Sequence, residues 1–214
     1  MAAEQSNYRP YAAQLHPAIA SDPRLPELLS KQPAPNSLPS LEFTGRQAEL
    51  QQAIALLQQL RSEPGSARVL AIVGQAGVGK SAFALRLAHQ IKPISLPSLY
   101  FNLRGDRPVS PAAIEQQVQT ALTVGNRPIL ILLDNLEEQT LIRPLLRLGD
   151  RALLVVTSRQ PLEAAVTLEL SALSESDAIA LLQAIAPSKL AEADRDIARS
   201  IVRCCDALPL ALRI

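Results

Sequence analysis

The stretch Gly74-Gln75-Ala76-Gly77-Val78-Gly79-Lys80-Ser81 decides which fold this sequence predicts. It matches the pattern G-x-x-x-x-G-K-[ST] of a phosphate-binding loop, the Walker A motif, at every fixed position. The glycines permit close approaches that a Cβ would block, so backbone N–H groups can surround a phosphate at the start of the following helix. The stretch therefore predicts a loop that holds the phosphates of a nucleotide.

Two side chains of this loop carry the predicted chemistry. Lys80 brings a positive charge to the β- and γ-phosphates, and Ser81 offers a hydroxyl to Mg²⁺, which prefers oxygen ligands. The predicted cofactors are therefore ATP or ADP with Mg²⁺. We expect nucleotide contacts from the whole loop and the residue after it: Gly74, Gln75, Ala76, Gly77, Val78, Gly79, Lys80, Ser81 and Ala82.

The surroundings of the loop predict an α/β fold. Arg68–Val73 is a short β-rich run before the loop, and Ser81–Ile91 has the pattern of a helix after it. Four more apolar runs read as strands that are buried on both faces, and segments with helical periodicity separate several of them. These runs are Leu99–Leu103, Ile129–Leu133, Ala152–Thr157 and Val166–Leu170. We predict a three-layer P-loop fold with a mainly parallel five-stranded sheet.

The sequence also predicts a division into three parts. Residues 1–40 hold seven of the 17 prolines and no glycine, which predicts an extended leader or linker, or alternatively a segment that docks to a partner. Residues 41–171 form the predicted nucleotide-binding domain. Residues 172–214 are expected to begin an incomplete helical lid, with Ser174 as the N-cap of its first helix and Asp177 as the acid of a capping box.

Asp134 ends the apolar run Ile129–Leu133 and is the predicted Walker B acid, which would hold Mg²⁺ beside the phosphate loop. The alternative is an Asp that ends a strand and caps a turn. Many hydrolytic P-loop ATPases place a second acid next, but this chain has Asn135, whose amide cannot act as a base. Glu137 or Glu138 could reach the γ-phosphate instead, or both could be solvated acids in the first turn of a helix.

Thr157-Ser158-Arg159 ends the fourth predicted strand, at the sheet edge where such folds bind ligands. An arginine there can form a forked contact with a γ-phosphate, so Lys80, Asp134 and Arg159 form the predicted catalytic group. The alternative is an exposed arginine in a loop.

Composition excludes several classes of protein. Among 214 residues, 48% are hydrophobic, and 21 basic residues nearly balance 20 acidic ones. This composition excludes global disorder and gives no electrostatic signal for nucleic acid or a membrane surface. The apolar runs are too short to span a bilayer, and the first residues lack a secretory signal, so a cytoplasmic location is predicted.

The order of the motifs resembles the STAND class of signalling ATPases, and within it the NB-ARC type of nucleotide-binding domain. The resemblance covers the chain from about Leu41 to its end and depends on FTGR at 43–46, GQAGVGKS, YFNLRG at 100–105, ILILLDN, LLVVTSR and LPLAL at 208–212. It implies that Phe43, Gly45 and Arg46 lie near the adenine and ribose. It also implies that 157–159 touch the terminal phosphate.

The resemblance further implies that Pro209 packs on the adenine ring, although Ala207 replaces the glycine usual before this motif. The family continues into a winged-helix domain, so we expect this chain to be truncated before it and to lack its flanking sensor or effector domains. The predicted function is a nucleotide-controlled switch with slow Mg²⁺-dependent ATP hydrolysis and a nucleotide-dependent homo-oligomer. The alternatives are an AAA+-type hydrolytic ATPase and a degenerate P-loop fragment without independent activity.

Overall fold

The computed structural model describes residues 43–62, 68–91, 97–104, 109–125, 128–186 and 195–213. The predicted leader at 1–40, with its alternative of partner docking, lies outside the described residues. The sequence from Leu190 to Asp206 has the pattern of a second lid helix; the start of this helix also lies outside the described residues, and its described part begins at Arg195.

Five parallel strands form one sheet with the spatial order β2-β3-β4-β1-β5. Their bounds are β1 Val69–Val73, β2 Ser98–Asn102, β3 Ile129–Leu136, β4 Ala152–Ser158 and β5 Val166–Glu169. The predicted five-stranded parallel sheet is therefore confirmed. The strand β1, which precedes the phosphate loop, has β4 on one side and β5 on the other, and β3 lies beyond β4.

Seven α-helices are described, and they accompany the strands in the predicted order. Their bounds are α1 Gln47–Ser62, α2 Lys80–Ile91, α3 Pro111–Gly125, α4 Arg143–Leu146, α5 Glu175–Ile185, α6 Arg195–Cys204 and α7 Pro209–Leu212. Two helices start at serine caps: Ser110 accepts from the N–H of Ala113 at 3.2 Å, and Ser174 accepts from that of Asp177 at 3.1 Å. Both starts agree with the sequence, since Ser110 precedes Pro111, a residue favoured at the first helical position, and Ser174 is the cap predicted above.

The core lies on both faces of the sheet, which makes three layers. Leu70 and Ile72 of β1 point to one face, where they pack with side chains of α1 and α2. Val69, Ala71 and Val73 point to the other face, toward side chains of α3. Each large apolar side chain buried in this way contributes about 1.5 to 3 kcal/mol.

The expectation that all five strands are apolar and buried on both faces is wrong for the two edge strands. In β5 only Leu168 is buried, while Val166, Thr167 and Glu169 are exposed, and in β2 only Phe101 is fully buried. Each of these strands has a sheet neighbour on one side only. A strand is buried on both faces only where other elements cover both faces. In this sheet the central strands β1, β3 and β4 are buried in this way.

The residues after β5 build a small helical layer from α5, α6 and α7. Leu181, Val202 and Leu212, one from each helix, belong to one buried cluster. The N–H of Leu173 donates to the carbonyl of Ala207 at 3.1 Å and so joins the start of this layer to its last turn. A lid at 172–214 that is separate from a domain at 41–171 stays a prediction.

Candidate functional site

A cavity of about 490 Å³ lies at the carboxyl edge of the sheet, between the phosphate loop and the helices after β5. Its size falls within the range of about 300 to 1,000 Å³ that small-molecule sites occupy. Many residues that the sequence predicts for nucleotide binding line it together: Phe43, Arg46, Ala76, Gly77, Val78, Gly79, Lys80, Ser81, Ala82, Arg159 and Pro209.

Four other predicted site residues do not line this cavity: Gly45, Gly74, Gln75 and Asp134. Thr44 and Ser158, which belong to the predicted segments 43–46 and 157–159, also line it. The cavity wall further contains residues for which the sequence predicts no nucleotide contact: Arg104, Leu136, Leu173, Leu181, Leu210 and Arg213. A signal for Arg104 was available, since it follows a strand whose carboxyl end faces the ligand edge.

The Lys80 ammonium folds back onto the first residues of its own loop. Nζ donates to the carbonyl oxygens of Gly74 and Gln75, at 2.8 Å each. Burial lowers the pKa of Lys80, the charge of Arg159 lowers it further, and the charge of Asp134 opposes both effects. The three predicted catalytic residues are therefore close enough to interact electrostatically.

Gly74 determines how tightly the loop packs against the end of β5. Its φ is +149°, and a Cβ at this position would lie 2.4 Å from the carbonyl oxygen of Leu170. The N–H of Leu170 donates to the carbonyl of Val73 at 2.8 Å, so that oxygen belongs to backbone that cannot easily move. A glycine is therefore required where β1 turns into the loop.

Asp134 lies at a β-bulge near the end of β3, and its side chain is 3% exposed. Its Oδ1 accepts from the Thr157 hydroxyl at 2.6 Å, and its Oδ2 accepts from the Tyr100 hydroxyl and from Asn135 Nδ2, each at 3.2 Å. In the sheet β4 lies between β3 and β1, and the charge of Asp134 still reaches Lys80 of the phosphate loop.

Thr157 lines the cavity with Ser158 and Arg159, and its hydroxyl has partners within the protein. Its side chain is fully buried, and its hydroxyl is engaged by Asp134 and by the N–H of Asn135 at 2.8 Å. In the segment 157–159, Arg159 is exposed and lines the cavity as a phosphate contact would require. Burial on the central strand β4 directs the Thr157 hydroxyl toward β3.

Arg46 connects three parts of the site and is 3% exposed. Its guanidinium Nη2 donates to the carbonyl of Val78 in the loop at 3.0 Å and to the carbonyl of Ser171 at 2.7 Å. Its backbone N–H donates to Asp177 Oδ2 at 3.1 Å, at the start of α5. The buried guanidinium therefore joins the phosphate loop to the segment after β5, and the backbone N–H of Arg46 joins the same residue to the start of α5.

The contact with Arg46 explains two neighbouring features. The Asp177 carboxylate, which the sequence assigns to a capping box, accepts from the N–H of Arg46 instead. Gly45 has a φ of +80°, and a Cβ there would lie 2.5 Å from Asp177 Cγ. Gly45 therefore allows the close approach of α5, while its neighbour Phe43 lines the cavity and packs edge to face on Phe83, with ring centroids 6.2 Å apart.

The last described turn rests on the phosphate loop. A Cβ on Gly79 would lie 3.6 Å from Pro209 Cγ, and a Cβ on Gly77 would lie 3.1 Å from Leu210 Cβ. Ala207, which replaces the usual glycine, has a left-handed backbone with a φ of +50°. This conformation explains why glycine suits the position.

The oxygen ligands predicted for Mg²⁺ fit a hard divalent ion. Ser81 is in the first turn of α2 and lines the cavity, and Asp134 supplies a carboxylate within electrostatic range of Lys80. Within the described part of the chain, no group of three or more His, Cys, Asp or Glu side chains could hold a metal by itself. One or two protein oxygens are what Mg²⁺ uses where phosphates supply further ligands.

The charges of the described lining residues favour an anion. Five are basic, whereas Glu137 is the one acid among them; Glu138 does not line the cavity. The basic residues are Arg46, Lys80, Arg104, Arg159 and Arg213. Such a wall attracts a polyanionic ligand.

Comparison with solved structures shows the fold. A Signal Transduction ATPase with Numerous Domains (STAND) protein with a tetratricopeptide repeat sensor from Pyrococcus horikoshii matches with a TM-score of 0.52 at 17% identity, over 83% of this chain and 30% of that one. Cdc6p from Pyrobaculum aerophilum matches with a TM-score of 0.59 at 17% identity, over 84% and 61% of the two chains. These neighbours show that the chain has the fold of P-loop domains, as the phosphate loop predicts.

Among characterised sequences, the chain is similar to the regulatory protein AfsR. It is 30% identical to AfsR of Streptomyces coelicolor and 32% identical to AfsR of Streptomyces griseus, in both cases over 84% of this chain. The chain spans 21% of the length of each of these relatives. No protein-family model matches the chain. In the described part of the chain, no helix is long and apolar enough to cross a membrane.

Proposed function

We propose that this chain is an ATP- and ADP-binding switch domain of the NB-ARC type, with slow Mg²⁺-dependent ATP hydrolysis. The observation that carries the proposal is the cavity itself, which residues 76–81 of the phosphate loop line together with four arginines, while the last described turn of the chain rests on the loop. A nucleoside phosphate supplies the negative charge that these cations attract and the apolar base that the remaining wall accommodates.

The base is expected between Phe43 and the apolar residues Leu173, Leu181 and Pro209, which line the same cavity. The phosphates are expected at the loop, where Lys80 can exchange its carbonyl contacts with Gly74 and Gln75 for phosphate oxygens. The lining therefore divides into an apolar part for the base and a basic part for the phosphates.

A switch needs contacts that differ between its two ligands. Arg159 is exposed at the carboxyl end of β4. If its guanidinium contacts the γ-phosphate of ATP, ADP has no group that could make the same contact. Ser81 and Asp134 would hold Mg²⁺, which would neutralise charge on the phosphates. ATP would then contact Arg159 through its γ-phosphate, and ADP would not. This difference in contacts is what would let ATP favour an open state that oligomerises.

Slow hydrolysis is proposed because the residue after Asp134 is already occupied by structural contacts. Asn135 Nδ2 donates to Asp134 Oδ2 and to Asn102 Oδ1, both at 3.2 Å, and an amide cannot take a proton from water. One observation favours the second candidate, an AAA+-type hydrolytic ATPase: the Glu137 carboxylate lines the cavity and is exposed there. Turnover of tens per second that is lost in Glu137→Gln would favour this second candidate.

The test is nucleotide binding by Lys80→Ala, measured by calorimetry with ADP and with ATP. Loss of a charge-assisted contact should weaken affinity by roughly tenfold or more. Arg61→Ala is the matched control, because it removes an exposed cation at the end of α1 that does not line the cavity. Equal affinity in the wild type and Lys80→Ala would overturn the proposed function.

Wider properties of the protein are also proposals. The similarity to a regulatory protein supports a role in signalling, with flanking sensor or effector domains and a cytoplasmic location. Oligomerisation that depends on the nucleotide follows from the switch proposal. Light scattering with ADP and with an ATP analogue tests it directly.

A further inference from the structure

The Thr157 side chain joins two strands at the Walker B acid. Its hydroxyl donates to Asp134 Oδ1 at 2.6 Å and accepts from the N–H of Asn135 at 2.8 Å. Because a backbone N–H can only donate, the single hydroxyl proton is directed to the carboxylate. The Thr157 hydroxyl therefore has a defined direction, and its side chain is fully buried.

The second carboxylate oxygen of Asp134 is held from two further sides. The Tyr100 hydroxyl on β2 and Asn135 Nδ2 both donate to Oδ2 at 3.2 Å. Among the described residues, these donors and Thr157 take three of the roughly four acceptor positions of a carboxylate. The fourth position is on Oδ1, the oxygen that Thr157 orients.

The backbone at the bulge depends on the same threonine. Asn135 has a φ of +62°, and the pairing of β3 with β4 shifts register between Leu133 and Leu136. A left-handed residue that is not glycine costs roughly 1 to 2 kcal/mol, although asparagine adopts this conformation more readily than most residues. The hydrogen bond from the Asn135 N–H to Thr157 stabilises this conformation and so keeps Asp134 at the end of the strand.

We propose that Thr157 is a positioning residue that orients the Asp134 carboxylate toward a divalent cation bound with the nucleotide phosphates. The inference rests on the proposed function, because it requires that nucleotide and Mg²⁺ bind at this site. Thr157 then acts through Asp134, and Arg159 alone of the segment 157–159 contacts the terminal phosphate. Partners that orient a metal ligand commonly change metal affinity by about 10- to 100-fold when they are removed.

The experiment compares Thr157→Val, which keeps the shape and removes the hydroxyl, with Thr157→Ser, which keeps the hydroxyl. Calorimetry gives the affinity for a non-hydrolysable ATP analogue with Mg²⁺ and with EDTA, and the ratio of the two is the Mg²⁺ enhancement. Thr167→Val is the matched control, because Thr167 is an exposed threonine on β5 of the same sheet.

We expect Thr157→Val to lower the Mg²⁺ enhancement by about tenfold or to abolish it, with the affinity in EDTA within about twofold of wild type. Thr157→Ser and Thr167→Val should keep the wild-type enhancement. An unchanged enhancement in Thr157→Val overturns the inference, and so does an equal loss with and without Mg²⁺, which a merely structural role would cause.

Two results separate this inference from the proposed function. If the wild type binds no nucleotide, or binds it without any Mg²⁺ enhancement, the proposed function fails in whole or in its Mg²⁺ part; if the wild type shows the enhancement and Thr157→Val keeps it, only the role of Thr157 fails. If Thr157→Val does not fold, Tyr100→Phe decides the question, because it removes a donor to Asp134 Oδ2 at a less buried position. A reduced enhancement in Tyr100→Phe supports the inference, and an unchanged one overturns it.

Discussion

The backbone N–H of Leu210 donates to the carbonyl oxygen of Gly77 at 3.2 Å and ties the last described turn to the phosphate loop. The neighbouring Pro209 packs over Gly79 of the same loop. A change in the loop can therefore reach the helices after β5 directly. Under the proposed function, this contact connects the loop that holds the phosphates to the last described turn of the chain.

Pro209→Ala should weaken ADP and ATP binding by similar factors, because both nucleotides carry the base against which we expect this ring to pack. Arg159→Ala should weaken ATP selectively, since only ATP has a γ-phosphate, by about tenfold for a lost charge-assisted contact. Calorimetry of both variants with both nucleotides separates the two roles. The proposed site fails if Pro209→Ala discriminates between the nucleotides while Arg159→Ala does not.

Arg46→Leu should lower the free energy of unfolding by about 3 kcal/mol, because it leaves the carbonyls of Val78 and Ser171 without their donor. Urea denaturation measures this loss. Glu49→Gln is the control: it removes the charge partner of Arg46, at 3.3 Å, but leaves both carbonyl contacts, so it should cost less than about 1 kcal/mol. Equal stabilities of the two variants would contradict the connecting role of Arg46.

Nucleotide affinity should fall at alkaline pH, and the fall should begin at a lower pH than it would with a lysine of ordinary pKa. Burial lowers the pKa of Lys80, and the Arg159 charge lowers it further, so the ammonium that attracts phosphate is lost sooner as pH rises. Calorimetry with ADP from about pH 7 to about pH 10 measures the decline, and Lys80→Arg, which keeps its charge, should flatten it. A flat profile in the wild type would contradict the assignment.

The lowered pKa of Lys80 affects the stability of the nucleotide-free protein in the opposite direction from nucleotide affinity. Because the pKa of Lys80 is lower in the folded chain than in the unfolded one, the unfolded chain binds more protons between the two values. The contribution of Lys80 to stability therefore rises with pH across this window, while nucleotide affinity falls. Thermal melts without nucleotide at the same pH values distinguish the two effects.

Short-range patterns in the sequence were enough to predict the strands, the helix caps and the phosphate loop. The strand from Ile129 is recognisable because its residues are apolar in succession, and Ser110 and Ser174 cap helices through bonds to residues three positions later. In each case the physical cause lies within a few residues of the feature.

Tertiary structure alone decided which side chains meet around the loop. Arg46 contacts Ser171 and Asp177 across separations of 125 and 131 residues, and Thr157 reaches Asp134 because β4 lies between β1 and β3. Periodicity carries information about which face of an element is buried, but not about the order of strands in the sheet. The phosphate loop was therefore evident in the sequence by itself, whereas the hydrogen bonds that hold its arginine and its Walker B acid depend on how distant segments pack.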